Sequence, residues 1–593
     1  MLAFLTGLAG VTLYSQENER QAVFINGQSD DIFYHTIEWG QTVYAIATMY
    51  EVGVEDIYRL NPESRNGIKA GAVLQIPQKG LATTVAQSGE PLYTFHTIQP
   101  KETLYSMSVK YNVPAGDIIA ANPGLSVSTF TIGKTIRIPP TEIDNLPRRE
   151  TRTVTKEIEY TIDKRETMYR ITRKFNVSSD ELIRRNPPLR NGMKAGMVIK
   201  IPVQAEETVT DHVPFVREKE VNALLSEPKG INRVNRIRVA LLLPFMSEES
   251  VSSPTTLRYI EYYEGLLLAI DSLRNMGISV ELTVRDTGSG IKKLNHILKE
   301  EALLNAHLII GAVQNDQIKP VADFAKAHNI KYVIPFTSRN DDVLSNSCIF
   351  QVNTPHSYLY AKAAQTGCDL FADDHIIFID TKDNDDKGEF IRTFKQELAG
   401  RDIAYKELLY DDAGFPADIE SLMSRDKRNV IVPVSSTSEF FNKIRVPLRI
   451  LVDTHQEYRI SLFGYPDWQT YTNEFLDDFF TLNTFIYTHF YADNMSPDVL
   501  DFYSKYTIWY SKNLLNTFPK YGILGFDTGM FFLEAINKYG SNFEDHMDKI
   551  YYKSIQTGFD FQRVNNWGGF VNTNLFIIQY NRDHYTITRH QIK

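Results

Sequence analysis

The sequence predicts two fold classes in one chain. Three small α+β modules of the order strand, helix, helix, strand come first, and a two-lobed α/β domain follows. Three observations predict this. A stretch of about 45 residues occurs three times in the first third of the chain. Each copy passes from the alternation of a strand to the apolar stripe of a helix. From residue 235 onwards, short apolar strands alternate with amphipathic helices, which is typical of parallel sheets covered by helices.

The first copy, residues 32–78, shows how each module is built. Residues 34–37 alternate as a short strand, and Val43 and Ile46 begin an apolar stripe at helical spacing. A second short helix must end before Pro62, because the residue before a proline avoids the α region. Residues 74–76 alternate again and form a closing strand. We therefore expect a βααβ module in each copy.

The second copy spans residues 92–140 and the third spans 157–203. The order of elements and the shared positions resemble the LysM module. The shared positions are the threonine that opens the first helix, the Asn-Pro pair that ends the second, and the closing Ile-Pro. The resemblance implies binding of glycans that contain N-acetylglucosamine, which in bacteria means peptidoglycan. Three linked sites on one polymer raise avidity by about 10²–10⁴ where the linkers allow simultaneous engagement.

The resemblance also implies where each copy binds glycan, namely between the loop that opens the first helix and the loop that leaves the second. In the first copy these residues are Gly40, Gln41, Thr42, Val43, Asn61, Pro62 and Glu63. In the second they are Lys101, Glu102, Thr103, Leu104, Asn122, Pro123 and Gly124. In the third they are Arg165, Glu166, Thr167, Met168, Asn186, Pro187 and Pro188. The threonines and asparagines have an alternative interpretation, since threonine caps helices and asparagine ends them.

Lys101 and Arg165 depart from the family, which has a glycine at this loop position, as Gly40 shows in the first copy. A long side chain there changes the shape of the groove. The sequence therefore does not say which copies bind glycan.

The composition limits the possible functions. The chain has 593 residues and a net charge of −10, which argues against a nucleic-acid partner. Cys348 and Cys368 are its two cysteines, and we expect buried thiols rather than a disulfide. The motifs of zinc proteases, serine hydrolases and phosphate-binding loops are missing. We therefore expect a non-catalytic protein with no cofactor and no metal site.

Residues 1–16 contain a short apolar run that resembles the central part of a secretory signal, although no basic residue precedes it. No later stretch has the length and hydrophobicity of a transmembrane helix. We expect export to the periplasm or cell envelope without a membrane span. Residues 204–234 mix charge with a short apolar patch and are interpreted as a linker.

The region 235–593 resembles the type I periplasmic solute-binding fold, the branched-chain amino-acid receptor family. The residues that carry the resemblance are Val239–Pro244, Glu264, Gly265, Asp286, Leu308–Gly311, Tyr332–Ser338 and Gly525–Gly529. The family binds its ligand between two lobes, at the carboxyl ends of parallel strands. Carried onto this chain, the cleft includes Gln314, Asn315, Thr337, Ser338, Asp380, Ser435 and Tyr465. Residues 380–384, 435–437 and 465–468 would close the second wall.

Two departures leave the role of this domain open. Gln314 and Asn315 stand where amino-acid receptors usually have a serine. Such receptors also usually have Asp-x-x-Tyr-Gly after the fourth strand, and the run that begins at Asp380 lacks this tyrosine. One hypothesis is a cleft that captures or senses a small ligand in the envelope. A second is a protein-docking scaffold that regulates cell-wall synthesis with an envelope protein partner, and a third is a cell-wall hydrolase. The aromatic stretch 479–510 is predicted to lie in the core of the second lobe, with a partner surface as the alternative.

Overall fold

The structure is a computed structural model of the whole chain. It describes residues 32–78, 93–140, 149–164, 166–175, 177–210, 218–226, 230–247, 253–381 and 386–592. The predicted signal segment at residues 1–16 lies outside these ranges, as does Arg165. The chain forms two compact units. The first comprises the described residues within 1–102, 118–138 and 225–593, and the second comprises those within 103–117 and 139–224.

All three copies have the order βααβ. The first consists of β1 (Ile32–Thr36), α1 (Val43–Met49), α2 (Val54–Leu60) and β2 (Val73–Pro77). The second consists of β3 (Thr94–Thr97), α3 (Leu104–Tyr111), α4 (Ala115–Ala121) and β4 (Thr135–Ile138). The third consists of β5 (Arg149–Thr161), α5 (Met168–Phe175), α6 (Ser179–Arg185) and β6 (Val198–Thr210). The two strands of each copy pair antiparallel.

The third copy differs from the expectation at its ends. Its strands β5 and β6 are 13 residues each and remain paired from Thr161–Val198 out to Arg149–Thr210. Part of the predicted linker 204–234 is therefore strand. A short helix, α7 (Glu218–Ala223), follows in the same compact unit, where its Asn222 Oδ1 accepts a hydrogen bond from the Tyr105 N–H at 3.2 Å. Its buried Val221 belongs to the apolar patch seen in the sequence.

Lobe 1 of the α/β domain is built on a seven-stranded sheet in the order β17-β18-β11-β10-β9-β7-β8. Its strands are β7 (Ile237–Leu243), β8 (Val280–Asp286), β9 (Leu308–Gly311), β10 (Lys331–Ile334), β11 (Ile349–Gln351), β17 (Phe561–Arg563) and β18 (Phe570–Asn572). Its helices are α8 (Pro254–Asn275), α9 (Ile291–Ile297), α10 (Glu301–Leu304), α11 (Asn315–His328), α17 (Pro497–Tyr510) and α18 (Tyr521–Tyr539).

Lobe 2 repeats this plan with the strand order β13-β12-β14-β15-β16-β19-β20. Its strands are β12 (His375–Asp380), β13 (Tyr405–Leu409), β14 (Asn429–Pro433), β15 (Ile460–Gly464), β16 (Phe485–Thr488), β19 (Leu575–Asn581) and β20 (Thr586–Ile592). Its helices are α12 (His356–Phe371), α13 (Gly388–Gly400), α14 (Phe415–Leu422), α15 (Ser438–Thr454) and α16 (Thr472–Thr481).

The two sheets share one topology. In each lobe the first five strands are parallel and lie in the order 2-1-3-4-5, which is a doubly wound arrangement, and two further strands complete the sheet. The chain passes between the lobes after β11, after β16 and between β18 and β19. Such a fold places ligands at the carboxyl ends of its parallel strands, between the lobes. The predicted fold class, LysM-like repeats followed by a two-lobed α/β domain, is confirmed.

The aromatic stretch 479–510 does not belong to one lobe. Phe479, Phe485 and Tyr487 are buried in the core of lobe 2, as predicted. Helix α17 instead packs on lobe 1, where its apolar face meets α8 and α18, and Trp509 is 49% exposed. The prediction is therefore wrong for the end of the stretch. Cys348 and Cys368 are both buried free thiols, as expected. Within the described residues, no helix has both the length and the apolar character needed to cross a bilayer.

Candidate glycan-binding loops and the interlobe cleft

The asparagine of each Asn-Pro pair ties the second helix of its copy to the closing strand. Asn61 Nδ2 donates to the carbonyl oxygens of Ile57 and Gln75, each at 2.8 Å, and its Oδ1 accepts from Gln75 N at 2.9 Å. Asn122 and Asn186 make the same three hydrogen bonds in their copies, at 2.7 to 2.9 Å. Both amide N–H groups are used within the module. These three side chains are therefore structural, and a glycan would meet the backbone around them.

The threonines that open the first helices act as N-caps. Thr42 Oγ1 accepts from Ala45 N at 3.0 Å, and Thr103 Oγ1 accepts from Ser106 N at 3.1 Å. Thr167 Oγ1 accepts from Arg170 N at 3.3 Å. An N-cap satisfies an otherwise free helical N–H, so these hydroxyls hold the loop and the helix together.

The side chain of the residue before each threonine accepts a hydrogen bond from a backbone N–H of the same loop. Gln41 Oε1 accepts from Glu38 N at 2.8 Å and lies 2.7 Å from His35 Nε2. In the second copy, Glu102 accepts from Gln99 N at 2.8 Å and lies 2.6 Å from His96 Nε2.

Glu166 does the same in the third copy, where it accepts from Asp163 N at 3.0 Å and from Tyr160 OH at 2.8 Å. The backbone hydrogen bond from Asp163, followed by that from Tyr160, lowers the pKa of Glu166. The side chains of Gln41, Glu102 and Glu166 thus shape the predicted groove by fixing its loop.

Side chains of the α/β domain lie against two glycines of the first copy, Gly40 and Gly67. Gly40 has a φ of +78°, and a Cβ placed there would lie 2.5 Å from Cδ1 of Tyr358 in α12. Trp39 meets the same ring edge-on, with 5.9 Å between ring centroids. A Cβ on Gly67, which follows the second helix, would lie 2.9 Å from Nε2 of Gln396 in α13. Val43 is buried, while Pro62 and Glu63 remain exposed.

In the second copy, the α/β domain meets the loop that leaves the second helix. Gly124 N donates to Asn566 O at 2.8 Å, and Asn566 Nδ2 donates to Thr135 O at 3.0 Å. A Cβ on Gly124 would lie 2.6 Å from Cδ of Arg563. Pro123 beside it is half-buried and Leu104 is buried. Lys101 is exposed and has a φ of +68°, so this lysine adopts the left-handed conformation of Gly40.

The third copy exposes its loops to solvent. Thr167, Pro187 and Pro188 are exposed, and Glu166 and Met168 are half-buried. A Cβ on Gly192 or Gly196, in the loop that leads to β6, would meet nothing within 4 Å.

The cleft residues predicted in lobe 1 lie at strand ends, but two of them hydrogen-bond to loop backbone within the lobe. Gln314 Oε1 accepts from Gly290 N at 3.0 Å. Thr337 Oγ1 both donates to Arg339 O and accepts from Arg339 N, each at 3.0 Å. Asn315 is exposed at the first residue of α11, and Ser338 is half-buried.

In lobe 2 the predicted residues are more enclosed. Asp380 Oδ1 accepts from Thr381 N at 2.7 Å. Ser435 is 1% exposed and its Oγ lies 3.1 Å from Thr437 Oγ1. Tyr465 is fully buried, and its hydroxyl donates to Pro433 O. The side chains of Ser435 and Tyr465 therefore point into lobe 2.

A polar cluster lies beside them in lobe 2. Ser436 Oγ donates to Asp386 Oδ2 at 2.6 Å and to Asp467 Oδ2 at 3.1 Å, and Lys387 Nζ lies 2.6 Å from Asp467 Oδ2. Burial opposes ionisation of Asp386, yet the hydrogen bonds from Ser436 and Ser435 leave its pKa lowered. Sequence reasoning missed Asp386 and Lys387. Their only signal was the acidic run after Asp380, which is also typical of a solvated loop.

Charged groups of both lobes converge on His356 at the start of α12. Burial lowers the pKa of His356, and the charges that act on it come from Glu389, Arg339, Lys387 and Asp467. Arg339 belongs to lobe 1 and the other three to lobe 2. In the described part of the chain, no group of three His, Cys, Asp or Glu side chains is placed to hold a metal ion.

Comparison with known proteins agrees with the repeat. The model of the LysM domain matches residues 35–77, 96–139 and 160–202. The first third of the chain carries three LysM domains. The "Putative sporulation-specific glycosylase YdhD" of Bacillus subtilis (strain 168) is 31% identical over 108 residues, or 18% of this chain. The match spans 22% of that protein, about a fifth of its length.

Solved structures of solute-binding proteins align with the α/β domain. One is a putative branched-chain amino acid ABC transporter from Rhodospirillum rubrum, with 14% identity, a TM-score of 0.43, and coverage of 60% of this chain and 100% of that one. Another is an ABC transporter substrate-binding protein from Desulfitobacterium hafniense in complex with Leu, with 13% identity, a TM-score of 0.37 and the same coverage. The fold of the α/β domain rests on its own strand order.

Proposed function

We propose that this protein is a non-catalytic peptidoglycan-binding protein of the cell envelope whose third LysM domain holds the glycan. The first two LysM domains attach to the α/β domain instead. The α/β domain is a solute-binding-type receptor that presents a polar cleft to a small ligand. Support comes from the kinds of domain present, since LysM domains bind glycans and solute-binding folds bind small molecules.

The observation that carries the proposal is the contrast between the copies. A polymer can enter only a groove whose two loops face solvent. Tyr358 and Gln396 lie against both loops of the first copy, and Arg563 and Asn566 lie against one loop of the second. The corresponding loops of the third copy are exposed at Thr167 and Pro188.

The cleft is proposed to take a small ligand that carries charge. Arg339 of lobe 1 and the Lys387–Asp467 ion pair of lobe 2 both act on His356. Lobe 1 therefore contributes a positive charge to the cleft, and lobe 2 contributes charges of both signs. A ligand that pairs with these groups would replace the water that solvates them. The scaffold hypothesis would replace this ligand by a protein that inserts into the same cleft.

A matched pair of substitutions tests the glycan proposal. Pro188 and Glu63 occupy the same position after the Asn-Pro pair in the third and first copies, and both are exposed. We expect Pro188→Trp to weaken co-sedimentation with purified sacculi by about tenfold or more, because a bulky side chain fills an open groove. Glu63→Trp should leave co-sedimentation within about twofold of the natural protein, since Tyr358 and Gln396 already lie against Gly40 and Gly67 of that copy.

The opposite pattern, with Glu63→Trp as the damaging change, would assign the glycan to the first copy and contradict the proposal. Equal sedimentation of both variants and the natural protein would exclude both grooves. Release of soluble muropeptides from the same sacculi would favour a cell-wall hydrolase. A shift in melting temperature with muropeptides or amino acids would support the receptor role of the cleft over the scaffold role.

A further inference from the structure

A cavity of about 110 Å³ lies inside the first compact unit, where three separate segments meet. It has room for a group of a few heavy atoms. One wall comes from the first LysM domain, one from the turn before β4, and one from the loop after β17. Its polar and charged lining includes His35, Glu38, Gln41, Lys134, Arg563 and Trp567.

Two side chains that line this cavity, those of Gln41 and Trp567, each carry a buried N–H donor, Nε2 and Nε1, that has no acceptor among the described residues. Gln41 is 8% exposed and Trp567 is 2% exposed. The Gln41 amide is oriented by its oxygen, which receives the Glu38 N–H and faces His35. Buried donors in folded proteins almost always have a partner, so two of them on one cavity point to an acceptor that binds there.

The charges around the cavity favour an anion. Arg563 donates from Nη1 to Gly568 O at 2.7 Å and stacks 4.2 Å from the ring centroid of Phe570. No carboxylate of the described residues forms an ion pair with it. The charges of Glu544 and Asp545 act on it from outside the cavity lining, and Glu544 pairs with Lys331. Burial lowers the pKa of Arg563, as expected for a cation removed from water.

The remaining charges do not cancel that of Arg563. Lys134 pairs with Glu38 at the rim, where its side chain is 47% exposed. Burial lowers the pKa of His35, so this ring is neutral near pH 7. Two cations against one carboxylate leave the cavity with a positive balance.

We propose that this cavity binds a small carboxylate, whose oxygens accept hydrogen bonds from Gln41 Nε2 and Trp567 Nε1 in the positive field of Arg563 and Lys134. The bound carboxylate would contact all three segments at once. It would therefore strengthen the attachment of the first two LysM domains to the α/β domain. The inference is independent of which LysM domain holds peptidoglycan.

The test uses the full-length protein with sodium acetate as the probe and acetamide as a neutral molecule of the same shape. Calorimetric titration and the melting temperature are measured against sodium chloride at equal ionic strength. We expect acetate to bind and to raise the melting temperature, whereas acetamide should not. D-Lactate and D-alanyl-D-alanine then show whether the carboxylate belongs to a free small acid or to the end of a peptide.

Two variants assign the site. Gln41→Glu keeps the oxygen that serves Glu38 and His35 but replaces the free donor by a charged acceptor, so acetate affinity should fall by about tenfold or more. Trp567→Phe removes a single N–H donor and should weaken acetate by about three- to tenfold. Trp509→Phe changes a half-exposed side chain of α17 and is the control, which should bind acetate as the natural protein does.

Absence of an acetate effect beyond that of chloride in the natural protein would overturn the proposal, since the cavity would then hold water only. Unchanged acetate affinity in Trp567→Phe would place any binding elsewhere. Far-UV circular dichroism of each variant excludes misfolding. If Gln41→Glu does not fold, the Trp567→Phe result decides.

Discussion

At the scale of single residues, three asparagines do the same structural work in three places. Each donates both amide N–H groups to carbonyl oxygens and accepts one backbone N–H, so the side chain has no donor left for a glycan. Aspartate could not replace it, because its carboxylate would face two carbonyl oxygens. The asparagine of each Asn-Pro pair therefore serves the fold of its own module.

Removal of one of these asparagines gives a prediction at this scale. Asn186→Ala removes three hydrogen bonds and leaves the Lys200 N–H without its partner at 2.8 Å. We expect the third LysM domain to lose about 2–4 kcal/mol of stability. Hydrogen exchange should show the Lys200 amide losing protection. Asn191→Ala, at an exposed neighbouring position, is the control, and equal protection in both variants would contradict the structural role.

His489 provides a prediction about pH. Burial lowers its pKa from 6.5 to about 3, and its Nε2 donates to Asn353 Oδ1 at 2.7 Å. As the pH falls below about 6.5, His489 becomes protonated in the unfolded chain but stays neutral in the folded protein. Stability then falls by up to about 1.4 kcal/mol per pH unit until the folded pKa is reached. His35, whose pKa is also lowered, acts in the same direction in every variant.

His489→Gln keeps a donor for Asn353 and removes this titration. We expect its melting temperature to fall less between pH 7.5 and pH 5 than that of the natural protein. His584→Gln, at an exposed position, should retain the full decrease. An equal decrease in the His489→Gln variant and the natural protein would show that His489 does not carry the effect.

At the scale of elements, the pattern of apolar residues along the sequence predicted the buried strands of the α/β domain. Strands β7, β9 and β10 are apolar apart from Arg238 and Lys331, and the structure buries nearly all of their residues. Helices α8 and α18 touch through glycines, and two of these, Gly265 and Gly525, belong to the residues that carry the family resemblance. A Cβ on Gly265 would lie 1.8 Å from Gly522 O, and one on Gly525 would lie 2.0 Å from Tyr262 O. Only glycine allows two helix backbones to approach this closely.

Contacts between distant parts of the chain could not be predicted in this way. Helix α17 follows strand β16 of lobe 2 and is rich in aromatic residues like the stretch before it, yet it packs on lobe 1. No local sequence pattern shows to which lobe the helix belongs. The extension of β5 and β6 rests on pairing between segments whose charged sequences look like linkers. The side chains of Ser435 and Tyr465 turn into their lobe, although their positions at strand ends suggested a cleft wall.

At the scale of the whole first unit, the first LysM domain contacts both lobes. Its Tyr44 OH donates to Asp341 Oδ2 of lobe 1 at 3.0 Å. The second domain also contacts this lobe, where 5.5 Å separate the ring centroids of Phe95 and Trp567. On the other side, Gly40 packs against Tyr358 of lobe 2. A module fixed to both lobes restrains their relative motion, so its attachment matters for stability as well as for glycan access.

Gly40→Ala tests this attachment, with Gly71→Ala as the matched control. Both glycines have a positive φ, +78° and +84°, so alanine strains the backbone equally at either position. Only at Gly40 would the new Cβ meet Tyr358, because nothing lies within 4 Å at Gly71. We expect Gly40→Ala to destabilise the protein by about 1–3 kcal/mol more than Gly71→Ala in denaturant unfolding.

The packing contribution can then be isolated with a double-mutant cycle. Tyr358→Ala removes the ring that the alanine at position 40 would strike, so the excess cost of Gly40→Ala should largely disappear in that background. Hydrogen exchange should also show weaker protection at the start of α12 in Gly40→Ala alone. If Gly40→Ala and Gly71→Ala were equally costly, with no coupling to Tyr358, the first LysM domain would not be held against lobe 2. Its groove would then be accessible to a glycan, which would count against the proposal that the third LysM domain holds it.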